Sequence, residues 1–372
     1  MATEIEIVFA IKRILMFEDI EILSDHNIAK WLYENDLYFL LLKYGMKNPW
    51  LLKANIKYIL NKVSLCKRLN ICAPFLSSLA ENKIPYAIVK GAVLSTMAFG
   101  NPFFRCSSDI DILVDKNDMS YVFDLLKKAG FTQGRIKDNS LEMLSREDIL
   151  FHTLYTHQSA PFILQTDDDY CRFVVIDINF SLFWGEYTGN TCLKTTLDNT
   201  TDIVINDVFL KKLNVEYEFI ELCLHHYKDC NSLFLLSTNG LRLSHFVDIY
   251  MYLKNTSLNI NVLKEIAINL GAEKYVYYCL YYTFLLFDDV ILKKYLEAFS
   301  FAMDEILLYS YGLNENERKT WDISFFNRLF HPNIKEYIFS SLTPEEKKRI
   351  EINLRNMYKH IKFIYCIYKS LN

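Results

Sequence analysis

Glycine and proline are scarce in this 372-residue chain, at 10 and 7, and nowhere do they gather into a flexible linker. Long apolar runs are missing as well. The longest, "YVYYCLYYTFLLF" at residues 275–287, falls short of the ~20 residues that cross a bilayer and reads as a buried helix. The nine cysteines contain no CxxC pair, which removes the zinc-ribbon arrangement and reads as reduced, intracellular thiols. The first residues, "MATEIEIVFAIKRILMFED", place glutamates where an export signal has a basic start, so a cytoplasmic protein with no membrane association is expected. No Lys/Arg-dense block exists and the formal net charge is -4. Long nucleic acid is therefore disfavoured as a partner against a small molecule, nucleotide or peptide. A P-loop and a GxSxG elbow are both absent, leaving P-loop hydrolysis and serine acyl transfer without support.

What remains has the composition of a folded protein, 51% hydrophobic and 23% charged. Three zones separate by pattern. Residues 1–80 carry helical periodicity, 81–200 mix short strands with helices, and 201–372 return to a helical pattern rich in Tyr, Leu, Phe and Lys. In the middle zone, "IPYAIVK" (84–90), "DIDILVD" (109–115) and "RFVVIDINFSLFW" (172–184) read as strands. "GAVLSTMAF" (91–99) reads as a short helix opening at Gly91. "DMSYVFDLLKKAGF" reads as a helix with Asp118 as N-cap and Gly130 as terminator. The expected fold is α+β: a mixed sheet with helices on one side, over which the flanking helical zones close.

The chemistry sits at the strand mouths. Side chains alternate along a strand, so Asp109 and Asp111 share one face while Ile110 and Ile112 take the other. "VVIDINF" adds a third acid, Asp177, in a second apolar strand. Carboxylates in such places cost several kcal/mol unless a cation or hydrogen bonds compensate them. Hard oxygen ligands of this kind suit Mg²⁺ or Mn²⁺, and three acids from two strands meet the needs of a two-metal phosphoryl or nucleotidyl transfer site. Gly91 opens a helix with free amides for a phosphate, and Lys90 and Arg105 bring positive charge to the same edge.

The ordered set "KGAVLSTMAFGNPFFRCSSDIDILV" resembles the uncharacterised nucleotidyltransferase family (the family 5 group) of the DNA polymerase beta-like superfamily. Its pattern of Lys-Gly, helix, Arg and Asp-x-Asp falls on Lys90, Gly91, Arg105, Asp109 and Asp111, and its later strand acid on Asp177. "LCLHHYKDC" and "LRLSHFVDIYMYL" are similar to its helical segment, which implies His225 or His226, Lys228, Arg242 and Asp248 near the nucleotide. The resemblance covers about residues 75–255. It implies a nucleotidyltransferase core over 81–200 and transfer of a nucleoside monophosphate from a triphosphate such as ATP to an acceptor, with pyrophosphate released. The acceptor could be a small molecule, a peptide or a protein. Such genes often lie in bacterial biosynthetic clusters. A non-catalytic nucleotide- or partner-binding module, or a toxin–antitoxin component, is the alternative. Two departures stand out: the family's His after the third acid is Asn179, and the usual Gly-Ser of the turn is Gly91-Ala92.

His152 and His157 lie five apart and His225 and His226 are adjacent; neither spacing is a standard zinc pair. His157 is a candidate pocket contact. Of His225 and His226, one should face the core and the other the pocket. The acids Asp167–Asp169 read as a solvated hairpin tip.

Overall fold

The computed structural model describes residues 4–15, 21–44, 48–185, 187, 189 and 193–351. The first zone is helical as expected: α1 (Glu4–Leu15), α2 (His26–Glu34), α3 (Phe39–Tyr44) and the long α4 (Pro49–Glu81). α4 starts where the Asn48 side chain accepts from the Trp50 amide and Pro49 occupies the first turn, a position where its missing N–H costs nothing. Its second half buries Leu65, Leu69, Cys72, Leu76 and Leu79, a helical stripe laid along one face of the sheet.

The sheet is built from β1 (Tyr86–Val89), α5 (Gly91–Phe99), β2 (Asp109–Val114), α6 (Met119–Lys128), β3 (Thr132–Lys137), β4 (Ser140–Met143), α7 (Arg146–Tyr155), β5 (Phe162–Gln165), β6 (Phe173–Asn179), α8 (Lys194–Asp198), β7 (Thr200–Ile205) and β8 (Val208–Leu213). The strands form one eight-stranded mixed sheet in the order β4-β3-β5-β6-β2-β1-β8-β7. β2 pairs antiparallel with β1 and parallel with β6. All three expected strands are present, but β6 stops at Asn179, where the chain turns and the Phe183 amide bonds to Ser181 Oγ at 3.0 Å. β3–β5, β7 and β8 add to the sheet, and β8 lies inside the zone expected to be helical. Asp167–Asp169 do fall between the antiparallel strands β5 and β6. Asp118 stands at the N-cap of α6 without a side-chain capping bond, and Gly130 follows the helix at a φ of +88°.

Helices cover both faces rather than one. Ile88, Ile110, Ile112, Ile176 and Ile178 pack with the α4 stripe and with Met119, Val122 and Leu126 of α6. On the opposite face Ala87, Val89 and Leu113 join a larger core with the C-terminal helices α9 (Val215–Asn231), α11 (Leu243–Asn255), α12 (Ile260–Leu270), α13 (Glu273–Phe287) and α14 (Val290–Ala298), while α10 (Leu233–Thr238) packs Leu233 and Leu236 into a smaller cluster with Tyr311, Trp321, Ile334 and Ile338. α13 contains the apolar run noted in the sequence, and its Tyr275–Leu280 are all buried. No helix among the described residues is long and apolar enough to cross a membrane, and seven described cysteines are free thiols.

Candidate functional site

The acids fall on the sheet face that looks toward α9. Asp111 of β2 lies directly opposite Asp177 of the parallel strand β6, and directly opposed residues project to the same side. Asp109, two residues earlier, shares that side. Adjacent strands run about 4.8 Å apart, so the three carboxylates converge, although Asp111 and Asp177 are 66 residues apart in sequence.

Lys90 supplies the cation they need. Its Nζ lies 3.0 Å from Asp111 Oδ1. The chain leaves β1 through two consecutive residues at positive φ, Lys90 at +59° and Gly91 at +41°, which turns it from the strand into α5. A non-glycine residue held there stores on the order of 1–3 kcal/mol of backbone strain. Burial alone would lower the Lys90 pKa, but Asp111 and then Glu221 outweigh it and hold the ammonium charged well above its usual range. Asn179, standing where the resembled family has His, donates from Nδ2 to the same Asp111 oxygen at 3.0 Å.

Asp109 is held differently. Ser107 Oγ donates to its Oδ1 at 2.9 Å. Behind it, α4 grips the approach to β2: Arg68 donates to the carbonyls of Ser107 (2.5 Å) and Asp109 (3.4 Å). Asn61, two turns earlier on the same helix face, donates to the carbonyls of Phe103 (2.8 Å) and Arg105 (2.9 Å). Burial, then the neighbouring acid charges, pushes the carboxyls of Asp109 and Asp177 upward, Asp177 the further. Asp177 Oδ1 is buried with no hydrogen-bond partner among the described residues.

α9 closes the site from above. Glu221, His225 and Lys228 are spaced i, i+4, i+7 and line one small cavity of about 20 Å³ together with Lys90, His157, Asn179, Ser181 and Trp184, room for about one water. Burial raises the Glu221 carboxyl to about 7 against the pull of Lys90. Burial also lowers Lys228, reinforced by the Lys90 charge and opposed by Asp229. The rings of His157 and His225 are held neutral, well below their ordinary pKa, by burial and then by the same two lysines. His225 thus faces the cavity, while His226 turns into the core, its Nε2 3.2 Å from Asp248 Oδ2 and its ring stacked on His245.

The structure therefore brings Lys90, Asp109, Asp111, Asp177, His157 and Lys228 together. Arg105 is engaged elsewhere: its Nη1 lies 2.6 Å from Asp248 Oδ2, tying the loop after α5 to α11. Arg242 sits exposed at the N-cap of α11, where its charge acts on His245. Sequence reasoning missed Glu221, Asn61 and Arg68. Glu221 was visible as the first member of the Glu-x3-His-x2-Lys stripe; Asn61 and Arg68 carried only their seven-residue spacing within an apolar helix.

Among the described residues no three His, Cys, Asp or Glu side chains form a metal cage by themselves. Magnesium does not require one, because it binds through one or two carboxylates plus substrate phosphates and water. The donor set fits such an ion: hard carboxylate oxygens, one of them buried and unpaired, in a group whose mutual repulsion a further cation would relieve.

No curated protein matches this chain. Among solved structures it is similar to an antigenic nucleotidyltransferase-like protein from Paracoccidioides brasiliensis, at 13% identity and a TM-score of 0.37, covering 62% of this chain and 92% of that one. The family model described as "Uncharacterised nucleotidyltransferase" matches residues 64–288, a span that runs from the α4 stripe through the acids and α9 to the end of α13. The chain belongs to this uncharacterised nucleotidyltransferase family.

Proposed function

We propose that this protein is a nucleotidyltransferase dependent on Mg²⁺ or Mn²⁺, moving a nucleoside monophosphate from a triphosphate to an acceptor hydroxyl. The observation that carries the reading is the direct opposition of Asp111 and Asp177 across two parallel strands, with Asp109 on the same face and Lys90 paired to Asp111. Asp109 and Asp111, with Asp177 as third ligand, would hold the ion. When bound, it neutralises phosphate charge and polarises the α-phosphate. Lys90 and Lys228 stand on the α9 side of the acids and meet the charge of the phosphates. The Gly91 amide, at the opening of α5, meets a phosphate oxygen along the helix axis, with no serine beside it to help. Asp177, opposite Asp111 on the neighbouring strand, takes the proton of the attacking hydroxyl. His157 stays uncharged and offers a hydrogen bond. Arg105 reaches the nucleotide only by exchanging its pairing with Asp248, and Arg242 contributes at the outer rim.

The test uses ATP, GTP, CTP and UTP labelled at the α-phosphate, with Mg²⁺ or Mn²⁺. The wild type is expected to release pyrophosphate and to lose at least about 100-fold in rate on Asp109→Ala or Asp111→Ala. Equal rates for all three proteins would end the proposal. Nucleotide binding without pyrophosphate release would mark a non-catalytic nucleotide-binding module.

A further inference from the structure

The acids of α9 are accounted for, with one exception. Glu218 pairs with Lys212 Nζ at 3.0 Å, and Glu216 accepts from the Asn259 amide at 3.0 Å. Asp229 lies 3.6 Å from the Nε2 atoms of His225 and His245 and 3.9 Å from Lys228 Nζ. Glu221 is buried, yet it makes no hydrogen bond or close ion pair among the described residues. A buried carboxylate without a partner is costly, so its place on the face turned to the site calls for a reason.

Lys90 shares a cavity with it. Both line the space of about 20 Å³, together with His157, Asn179, His225 and Lys228. That space holds about one water, and so the head of one ammonium. Of the acids that act on Lys90, Asp111 acts most strongly and Glu221 next, ahead of Asp109. Lys228, the other lysine of the cavity, already has Asp229. Asn179 has a buried Oδ1 with no partner among the described residues, a second acceptor for an ammonium that enters. The flexible four-carbon stem of a lysine lets its charge change seats within such a space.

We propose that Glu221 is the second seat of Lys90, a positioning residue that receives the ammonium when Asp111 takes up a divalent ion. The inference rests on the nucleotidyl-transfer reading above. Lys90 Nζ and Asn179 Nδ2 both lie 3.0 Å from Asp111 Oδ1, so a single oxygen carries two donors. Lys90 cannot keep that seat while Asp111 holds a divalent ion, because like charges that close repel strongly in a buried site. Passing to Glu221 gives the ammonium a carboxylate that holds no ion. It also keeps the charge beside the acids, where the phosphates arrive, instead of releasing it to water. Glu221 touches neither the ion nor the substrate; it acts through Lys90.

The experiment titrates Mn²⁺ alone into the full-length protein and counts the free ion by electron paramagnetic resonance. It is run at pH 8, above the value of about 7 to which burial raises the Glu221 carboxyl, so that the carboxylate is charged. The wild type is compared with Glu221→Gln, Glu221→Asp, Lys90→Met and the double variant of Lys90→Met with Glu221→Gln. Glu221→Gln is expected to weaken Mn²⁺ binding about tenfold, and Glu221→Asp to recover most of the loss. The double variant is expected to match Lys90→Met within about twofold, because a second seat matters only while Lys90 is there to use it. Equal weakening in both backgrounds would show Glu221 acting on the ion through its own charge, and no weakening in either would show that Lys90 needs no second seat. Both results overturn the inference alone. Should Lys90→Met fail to fold, the wild type decides: with Mn²⁺ and a non-hydrolysable triphosphate in the crystal, Lys90 Nζ is expected within about 4 Å of the Glu221 carboxylate, and an ammonium away from Glu221 overturns the inference. A wild type that binds no Mn²⁺, or binds it equally well after Asp109→Ala, would overturn the transfer reading, and this inference with it.

Discussion

Glu221 shows what a single buried carboxyl does to this protein. Burial raises it to about 7, so between its unfolded pKa near 4.5 and that value the folded chain keeps a proton that the unfolded chain has released. The unfolded state binds fewer protons over this window, and stability falls as pH rises through it. Glu221→Gln removes the effect. Relative to the variant, the wild type is expected to lose up to about 3 kcal/mol of unfolding free energy between about pH 5 and pH 8, read by urea denaturation at each pH. The buried neutral histidines act in the opposite sense, costing stability as pH falls below about 6.5, but both proteins share them and they cancel in the difference. Parallel pH profiles for the two proteins would contradict the burial argument. At this scale the sequence was legible where chemistry and period coincide: Asp109, Asp111 and Asp177 each interrupt an apolar strand, which is costly without a purpose. Glu221 was harder to see because acids are ordinary in helices, and only the tertiary fold shows that its face of α9 is buried against Lys90.

The turn from β1 into α5 joins backbone conformation to the site. Gly91 has a φ of +41°, and a Cβ there would stand 3.3 Å from Ser107 Oγ, the hydroxyl that holds Asp109. Gly91→Ala is expected to cost about 1–2 kcal/mol from the left-handed backbone alone and to disturb Asp109 through Ser107. Thermal unfolding checks the first effect and the labelled-triphosphate assay the second. A variant that melts and turns over as the wild type does would show that the turn is not constrained as described. The strand–helix–strand run from 84 to 115 was readable because its apolar alternation and its glycine agree. The hairpins were not. β3–β4 and β7–β8 turn through Asp138-Asn139 and Asn206-Asp207, each pair with both residues at positive φ, as two-residue hairpins require. Asn and Asp adopt that conformation less freely than glycine, and flanking strands such as "TQGRIK" carry too few apolar residues to announce themselves.

For the molecule as a whole, one sheet stands between two cores. α4 and α6 support one face, and α9 with the other C-terminal helices covers the face that bears the acids. This explains why the helical zones surround the αβ zone in sequence: the first supplies the buttress that grips the approach to β2 through Asn61 and Arg68, and the last supplies the lid that carries Glu221, His225 and Lys228. The helical periodicity of the flanking segments was visible, with β7 and β8 the exception, but which faces meet was not, because the parallel pairing of β2 with β6 leaves no trace in local spacing. The most direct measurement is anomalous diffraction from crystals soaked with Mn²⁺ and a non-hydrolysable nucleoside triphosphate. The account expects manganese at coordination distance, about 2 Å, from carboxylate oxygens of Asp109 and Asp111, with the triphosphate against it and Lys90 moved off Asp111. A nucleotide bound with its manganese away from both aspartates, or Lys90 still seated on Asp111 beneath a bound triphosphate, would contradict it.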